Sequence, residues 1–254
     1  MRRILILPLL LLMLTACGKK GPVRPVEHAL PEAPRNLALE QRGDGFLLFW
    51  EAPEANQDGS KLPESLQYRI SRMEFDPADD CPECRDLSSP LARIDSRYPQ
   101  PARFADGRFA FFDAPLKSGT GYRYRIEALG PRGNSGEPAR VARAFLPPPA
   151  PPGELAGEEL DRLIRLRWEP PATRPADAVF IGYRVYRRLP GELWSLAPRS
   201  RLPLQQPGFE DFAVENGQTY EYRVGVLYRL AGQEAESSPG HSLRLTPAPP
   251  GEPL

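Results

Sequence analysis

Residues 164–171 read Ile-Arg-Leu-Arg-Trp-Glu-Pro-Pro, and residues 46–53 read Phe-Leu-Leu-Phe-Trp-Glu-Ala-Pro. The same strand-like pattern, ending in Trp-Glu-x-Pro, therefore occurs twice in the chain. In the later copy, apolar residues alternate with Arg165 and Arg167. Successive side chains of a β-strand point to opposite faces of a sheet, so this alternation predicts a strand with one buried face. We expect the same alternation in every matched segment.

The two copies form an internal repeat with a period near 100 residues. The offset is 118 residues between Trp50 and Trp168 (168 − 50) and 98 residues between Tyr124 and Tyr222 (222 − 124). The first copy is thus longer in its middle, in the part that contains residues 81–84. Turn-forming Gly, Pro and Asn residues separate the matched segments, and short strands between regular turns predict a β-sandwich.

The repeat resembles fibronectin type III domains, which have a strand ending in Trp-x-x-Pro and a Tyr-x-aliphatic strand. The family also has an acidic residue before a Gly/Thr-x-Tyr strand, matched here by Asp113 before Thr120-Gly121-Tyr122 and by Asp211 before Thr219-Tyr220. The resemblance implies an all-β fold of two tandem fibronectin type III (immunoglobulin-like) β-sandwiches joined by a Pro-rich linker. It also implies structural core roles, with the last two tyrosines at tyrosine corners, for Trp50, Trp168, Tyr68, Tyr183, Tyr122 and Tyr220.

The N-terminus has the features of a bacterial lipoprotein signal. Arg2 and Arg3 precede an apolar run over residues 4–14, shorter than the roughly 20 residues that span a bilayer. Leu-Thr-Ala-Cys at residues 14–17 resembles the lipobox, which implies that Cys17 is lipidated and anchors the chain to a membrane. An ordinary secretory signal with a chance cysteine is the alternative. Gly18 resembles the pattern of lipoproteins sorted to the bacterial outer membrane, on its periplasmic face or at the cell surface.

The expected organisation follows from these features and from the proline clusters. A Pro-rich segment extends as polyproline II and is semi-rigid, so we expect it to space the domains and to keep their unfolding largely separate. The predicted segments are a signal peptide (1–16), a lipidated tether (17–32), domain 1 (33–146), the Pro-rich linker (147–152), domain 2 (153–247) and a disordered tail (248–254).

Cys81 and Cys84 are the only cysteines besides Cys17. Their Cys-x-x-Cys spacing is compatible with a zinc half-site, a redox pair or a short disulfide. A second cysteine pair is absent from the sequence and the segment lacks helical periodicity, so we predict a loop disulfide formed in an oxidising compartment. No metal or cofactor is expected.

Few residues suit catalysis. The two histidines, His28 and His241, are far apart in sequence, and the carboxylate pairs lie in polar loops. We therefore expect no enzyme activity. Arg-Gly-Asp at residues 42–44 matches an integrin-binding tripeptide, but Gly-Asp-Gly is expected there as a turn between strands. The chain has 33 basic and 33 acidic residues, so its net charge does not predict a nucleic-acid partner.

Two functions are consistent with the sequence. The first is a membrane-anchored binding or scaffold module for an envelope protein or glycan. The second depends on residues 17–25, Cys-Gly-Lys-Lys-Gly-Pro-Val-Arg-Pro, which resemble the N-terminus of short lipoproteins associated with the lipopolysaccharide translocon. The segment departs from that pattern at Val23 and Arg24, and a generic flexible tether is the alternative. This resemblance implies an accessory of an outer-membrane assembly docked through Cys17–Pro25.

Overall fold

The computed structural model describes residues 29–78 and 87–251, and these residues form fifteen β-strands without a helix. The described ranges hold no helix with the length and apolar character needed to cross a bilayer. Strands of the N-terminal half are β1 (Arg35–Arg42), β2 (Gly45–Glu51), β3 (Gln67–Phe75), β4 (Ser89–Asp95), β5 (Arg103–Ala105), β6 (Arg108–Asp113), β7 (Gly121–Leu129) and β8 (Ala139–Ala144). Those of the C-terminal half are β9 (Leu155–Leu160), β10 (Leu163–Trp168), β11 (Val179–Arg188), β12 (Gly208–Asp211), β13 (Tyr220–Leu230), β14 (Gln233–Glu236) and β15 (Leu243–Leu245).

Each half is a sandwich of two sheets. In the first, β1-β2-β6-β5 face β4-β3-β7-β8, and in the second, β12-β10-β9 face a sheet in which β13 pairs with β11, β14 and β15. Apart from the parallel β1–β14 pair, which joins the two halves, the named strand pairs are antiparallel. The predicted all-β fold with two β-sandwiches is confirmed.

The expected tryptophans and tyrosines lie in the two cores. Trp50 stacks on Phe109 with ring centroids 5.4 Å apart, and it meets Tyr68 edge-on at 5.7 Å. In the second core, Trp168 meets Tyr183 edge-on at 5.3 Å. These aromatic rings fill the space between the sheets, which is where large apolar side chains remove most surface from water.

A carboxylate at the end of one sheet is bonded to the other sheet in both sandwiches. Asp113 accepts hydrogen bonds from the Tyr124 hydroxyl (2.7 Å) and the Arg72 guanidinium (3.0 Å). Asp211 does the same with the Tyr222 hydroxyl (3.0 Å) and the Arg187 guanidinium (2.9 Å). The acidic residue of each repeat is therefore a buried structural tie.

The strand β9 is longer than its sequence indicates. Leu-Ala-Gly at residues 155–157 reads as a short, interrupted strand, yet β9 pairs with β10 from Leu155 to Leu160. Gly157 does not interrupt the strand, and it makes room for a neighbour, because a Cβ there would overlap the end of the Leu245 side chain. Close packing of β9 against β15 therefore favours glycine at this position.

β2 differs from the expected alternation. Five consecutive apolar residues, 46–50, are all buried, whereas Arg167 on the matching strand β10 is exposed. Phe46, Leu48 and Trp50 belong to the domain core, while Leu47 and Phe49 form a separate cluster on the outer face. A continuous apolar run is typical of a strand covered on both faces, so something must cover the outer face of β2.

Candidate functional site

The outer face of β2 is covered by the second domain. β1 pairs in parallel with β14, with Gln41 opposite Ala235 and Arg42 opposite Glu236. The Gly43 amide also donates a hydrogen bond of 2.9 Å to the Glu236 carbonyl. One eight-stranded sheet thus runs through both domains and pairs two edges that would otherwise be open.

The Pro-rich linker is held against this junction. The Gln41 side-chain amide donates to the Leu146 carbonyl at 2.7 Å and accepts from the Leu146 amide at 3.1 Å. Pro149 and Pro152 are buried. The expectation that the linker spaces the domains apart is therefore wrong, because the domains share a sheet. The expectation of separate unfolding loses its basis with it.

A loop between β11 and β12 completes the contact. Leu196 packs on the cluster of Leu47, Phe49 and Ala110. The backbone of the same loop accepts two hydrogen bonds from domain 1, one from Arg42 to the Leu196 carbonyl (2.8 Å) and one from Arg103 to the Trp194 carbonyl (2.6 Å). The interface has an apolar centre with a hydrogen-bonded margin, as stable protein interfaces do.

A buried carboxylate lies at the centre of the polar part. The Glu236 side chain accepts hydrogen bonds from the Tyr186 hydroxyl at 2.8 Å and from the Arg184 guanidinium at 2.8 Å. Arg42 of domain 1 approaches the same carboxylate at 3.9 Å. Burial, with the nearby Glu236 charge, raises the pKa of Tyr186, so its hydroxyl stays protonated and remains a donor.

Arginine and aromatic side chains alternate in a row across the interface, which we call the arginine–aromatic row. Cations over aromatic faces are attracted by about 0.5–2 kcal/mol each, with the larger values where water is excluded. From domain 2 to domain 1 the row runs Arg188, Trp194, Arg223, Tyr186, Arg42, Phe49 and Arg108, with successive guanidinium-to-centroid distances of 4.3, 4.4, 5.4, 5.6, 5.9 and 4.0 Å.

A cleft of about 340 Å³ opens beside this row, between the two domains. Its walls combine cations of the row with apolar side chains of domain 1, among them Phe112, whose exposed fraction is 48%. Its volume lies at the lower end of the range of about 300–1,000 Å³ for ligand pockets. A concave, partly apolar site between domains, with a few polar groups directed at it, is the candidate functional site of this chain.

The Arg-Gly-Asp tripeptide forms the turn between β1 and β2 and belongs to this junction. Gly43 has a φ of +56°, and a Cβ on it would lie 2.6 Å from Ser238 Oγ of domain 2. The Arg42 side chain is only 16% exposed and is bonded to Glu40 and to domain 2. The tripeptide is thus a turn that brings two domains together, and its arginine is not displayed to solvent.

The two corner tyrosines bond to backbone nearby. The Tyr122 hydroxyl accepts a hydrogen bond of 2.8 Å from the Lys117 amide, and the Tyr220 hydroxyl accepts one of 3.1 Å from the Glu215 amide. Both rings are buried. These side chains stabilise the sandwiches and lie away from the cleft.

Cys17, Cys81, Cys84 and the segment 17–25 lie outside the described residues. His241 is exposed on a loop near β15. Within residues 29–78 and 87–251, no group of His, Cys, Asp and Glu side chains is arranged to hold a metal ion. The loop disulfide stays a prediction.

Replacing both Cys81 and Cys84 by serine is expected to change the melting temperature only slightly. A disulfide that closes so short a loop removes little entropy from the unfolded chain. Differential scanning calorimetry of the oxidised parent and the variant measures this. Free thiols at both positions in protein isolated without reductant would contradict the disulfide, and stoichiometric zinc would replace it with a metal site.

Sequence reasoning missed Trp194 and Arg223. Trp194 lies in a Pro- and Gly-containing loop without periodicity, and Arg223 occupies the outward-facing position of an alternating strand, which reads as solvent-facing. The available signal was in β2: residues 46–50 are continuously apolar, while the matching strand β10 alternates. That difference indicates a covered outer face in domain 1.

No protein-family model matches the chain. Over 87% of its length it is similar to the crystal structure of the FN1–FN3 domains of chicken CNTN1, with 13% sequence identity and a TM-score of 0.35. The chain spans 66% of the length of that structure. The β-sandwich architecture described above follows from the strand pairing of the chain itself.

Proposed function

We propose that this chain is a lipid-anchored, non-enzymatic lipoprotein of the bacterial outer membrane that binds a protein or glycan partner. Its two sandwiches would act as one rigid unit, with the interdomain cleft as contact site. The observation that carries the proposal is the junction itself: a shared sheet and a buried ion cluster hold a cleft of arginine and aromatic side chains in fixed geometry. Arginine and aromatic residues are enriched in the energetic centres of protein interfaces.

The bonding of the buried carboxylates within the chain supports a binding role over catalysis. Asp113, Asp211, Glu127 and Glu236 are buried, and each is bonded to arginine. A catalytic acid or base must reach a substrate. These carboxylates are instead engaged in bonds within the chain.

The anchor is supported by the sequence of residues 1–17. Replacing Cys17 by serine is expected to abolish incorporation of labelled palmitate and to leave a protein that is either soluble or still carries its signal peptide, since at least two acyl chains are needed for stable anchoring. Metabolic labelling followed by membrane fractionation measures both effects. Normal palmitate incorporation by the Cys17→Ser variant would refute the anchor, and Cys81→Ser is the matched control.

A second candidate function is favoured by the segment Cys17–Pro25, which resembles the N-terminus of short lipoproteins associated with the lipopolysaccharide translocon. Deleting residues 18–25 while keeping Cys17 separates the two candidates. Loss of co-purified lipopolysaccharide-translocon proteins on deletion supports the accessory role. Unchanged cross-linking of an envelope partner by the deletion variant supports the binding module.

A further inference from the structure

We propose that the interdomain cleft binds an acidic side chain of an extended peptide segment from a partner protein, with Arg223 as the binding cation. The inference rests on the proposed binding function and names the chemistry of its partner. Its physical basis is a cation that forms no ion pair with the described residues, beside walls that suit an apolar neighbour.

Arg223 differs from the other arginines at the centre of the junction. Arg42, Arg184 and Arg188 each form an ion pair with a carboxylate. Among the described residues, the Arg223 guanidinium has no ion-pair partner, and its Nε is buried without a hydrogen-bond acceptor. Burying a charge without a partner is costly, so this guanidinium is expected to be completed by an anion from outside the chain.

The surroundings hold the Arg223 guanidinium in place. It lies 4.4 Å from the centroid of Trp194 and 5.4 Å from that of Tyr186, between the two rings. Burial lowers the pKa of Arg223; the charges of Tyr186 and Glu236 oppose this shift, while the positive charges of Arg42 and Arg188 add to it. The site thus offers a fixed, incompletely solvated cation, and a carboxylate bound to it would form charge-assisted hydrogen bonds of defined geometry.

The carboxylate already lining the cleft does not complete Arg223. Glu236 is bonded to Arg184 and Tyr186 and forms no ion pair with Arg223 within 4.0 Å. Of the charged lining residues, three are arginines and two are acids, which leaves one positive charge in excess (3 − 2). A ligand with a single anionic group would therefore balance the charge of the cleft.

The walls favour a peptide over a lipid headgroup. Phe112 and Pro239 line the same cleft as exposed apolar side chains, whereas Leu47 and Ala110 are already covered by Leu196. A lipid headgroup is polar on all sides and would leave these walls without a partner, whereas an aspartate or glutamate beside an aliphatic or aromatic residue uses both features. A volume of about 340 Å³ accommodates a short segment of chain rather than a folded domain.

The test is selection from a phage-displayed random short-peptide library on the full mature chain. Selected sequences are expected to carry Asp or Glu next to an apolar residue. Changing that acid to its amide, or Arg223→Met in the protein, is expected to weaken binding measured by fluorescence anisotropy by about tenfold to a hundredfold. Arg132→Met, in an exposed turn of domain 1, is the matched control and should bind as the parent does.

Folding is checked separately from binding. Phe112→Ala removes a half-exposed side chain of the cleft wall, so it should weaken peptide binding with little change in melting temperature. The proposal is overturned if no peptide is selected, if selected peptides lack acidic residues, or if Arg223→Met leaves binding unchanged. It is also overturned if Arg223 is needed instead for binding vesicles of phosphatidylglycerol. Cross-linking of an envelope partner in cells tests the proposed binding function independently. A partner can still be cross-linked to the chain when none of the cleft variants changes peptide binding.

Discussion

Replacing Glu236 by alanine is expected to lower the free energy of unfolding by about 3–5 kcal/mol. The carboxylate is 5% exposed and is bonded to Arg184 and Tyr186, with Arg42 of the other domain 3.9 Å away. Removing it leaves the Arg184 guanidinium and the Tyr186 hydroxyl without this acceptor in a partly buried site, and it takes an anion away from Arg42. Breaking a buried ion pair costs more than the pair contributes, because the remaining charge is uncompensated.

The form of the transition should change as well. Glu236 belongs to β14, which joins the two domains through its pairing with β1. We therefore expect the parent to unfold in one transition and the Glu236→Ala variant to unfold in a broader or divided one. Urea titration followed by both far-ultraviolet circular dichroism and tryptophan fluorescence measures this, because coincident curves indicate a single cooperative unit.

The matched control for this experiment is Glu234→Ala. Glu234 lies on the same strand, but its carboxylate is 44% exposed and pairs with Arg229, which is 49% exposed. Such surface pairs contribute about 0–1 kcal/mol. If Glu236→Ala were no more destabilising than Glu234→Ala, the buried cluster would not be what couples the domains.

The parts of the fold that were predictable depend on local patterns. β10 alternates Ile164, Leu166 and Trp168 with arginines, and every second residue is buried as a strand with one covered face requires. The all-β class and the pair of sandwiches follow from such strands and the turns between them. Nothing beyond neighbouring residues is needed for these conclusions.

The candidate site was not predictable in the same way. Arg223 and Arg165 both occupy outward positions on alternating strands, yet Arg165 pairs with Glu158 and Glu210 at the surface while Arg223 lies in the interdomain cleft. The alternation predicts which side chains point away from the core, but it does not predict what covers those side chains on the outer face. The β1–β14 pairing also joins residues almost 200 positions apart, Gln41 and Ala235, through hydrogen bonds of the main chain, which carry no side-chain signature.

Replacing Trp50 or Trp168 by alanine is expected to destabilise the affected sandwich by about 3–5 kcal/mol, the usual cost of emptying a core aromatic site. Trp50 is fully buried and Trp168 is 5% exposed. Because the domains share a sheet, we expect each substitution also to weaken the junction between them. The sandwich that does not carry the substitution should therefore also lose stability in the full chain. Urea titration followed by far-ultraviolet circular dichroism measures the loss without relying on the indole removed.

The phenylalanine variants separate packing from polar contributions. The indole Nε1 of both tryptophans is buried without a hydrogen-bond partner in the described part of the chain. Trp50→Phe and Trp168→Phe therefore keep an aromatic ring in the core while removing an unsatisfied donor, and an unsatisfied buried donor costs about 1–3 kcal/mol. We expect both variants to lose much less stability than the alanine variants. A phenylalanine variant as unstable as its alanine counterpart would mean that the indole N–H holds the sandwich together through an acceptor, and the packing explanation for these two tryptophans would then be wrong.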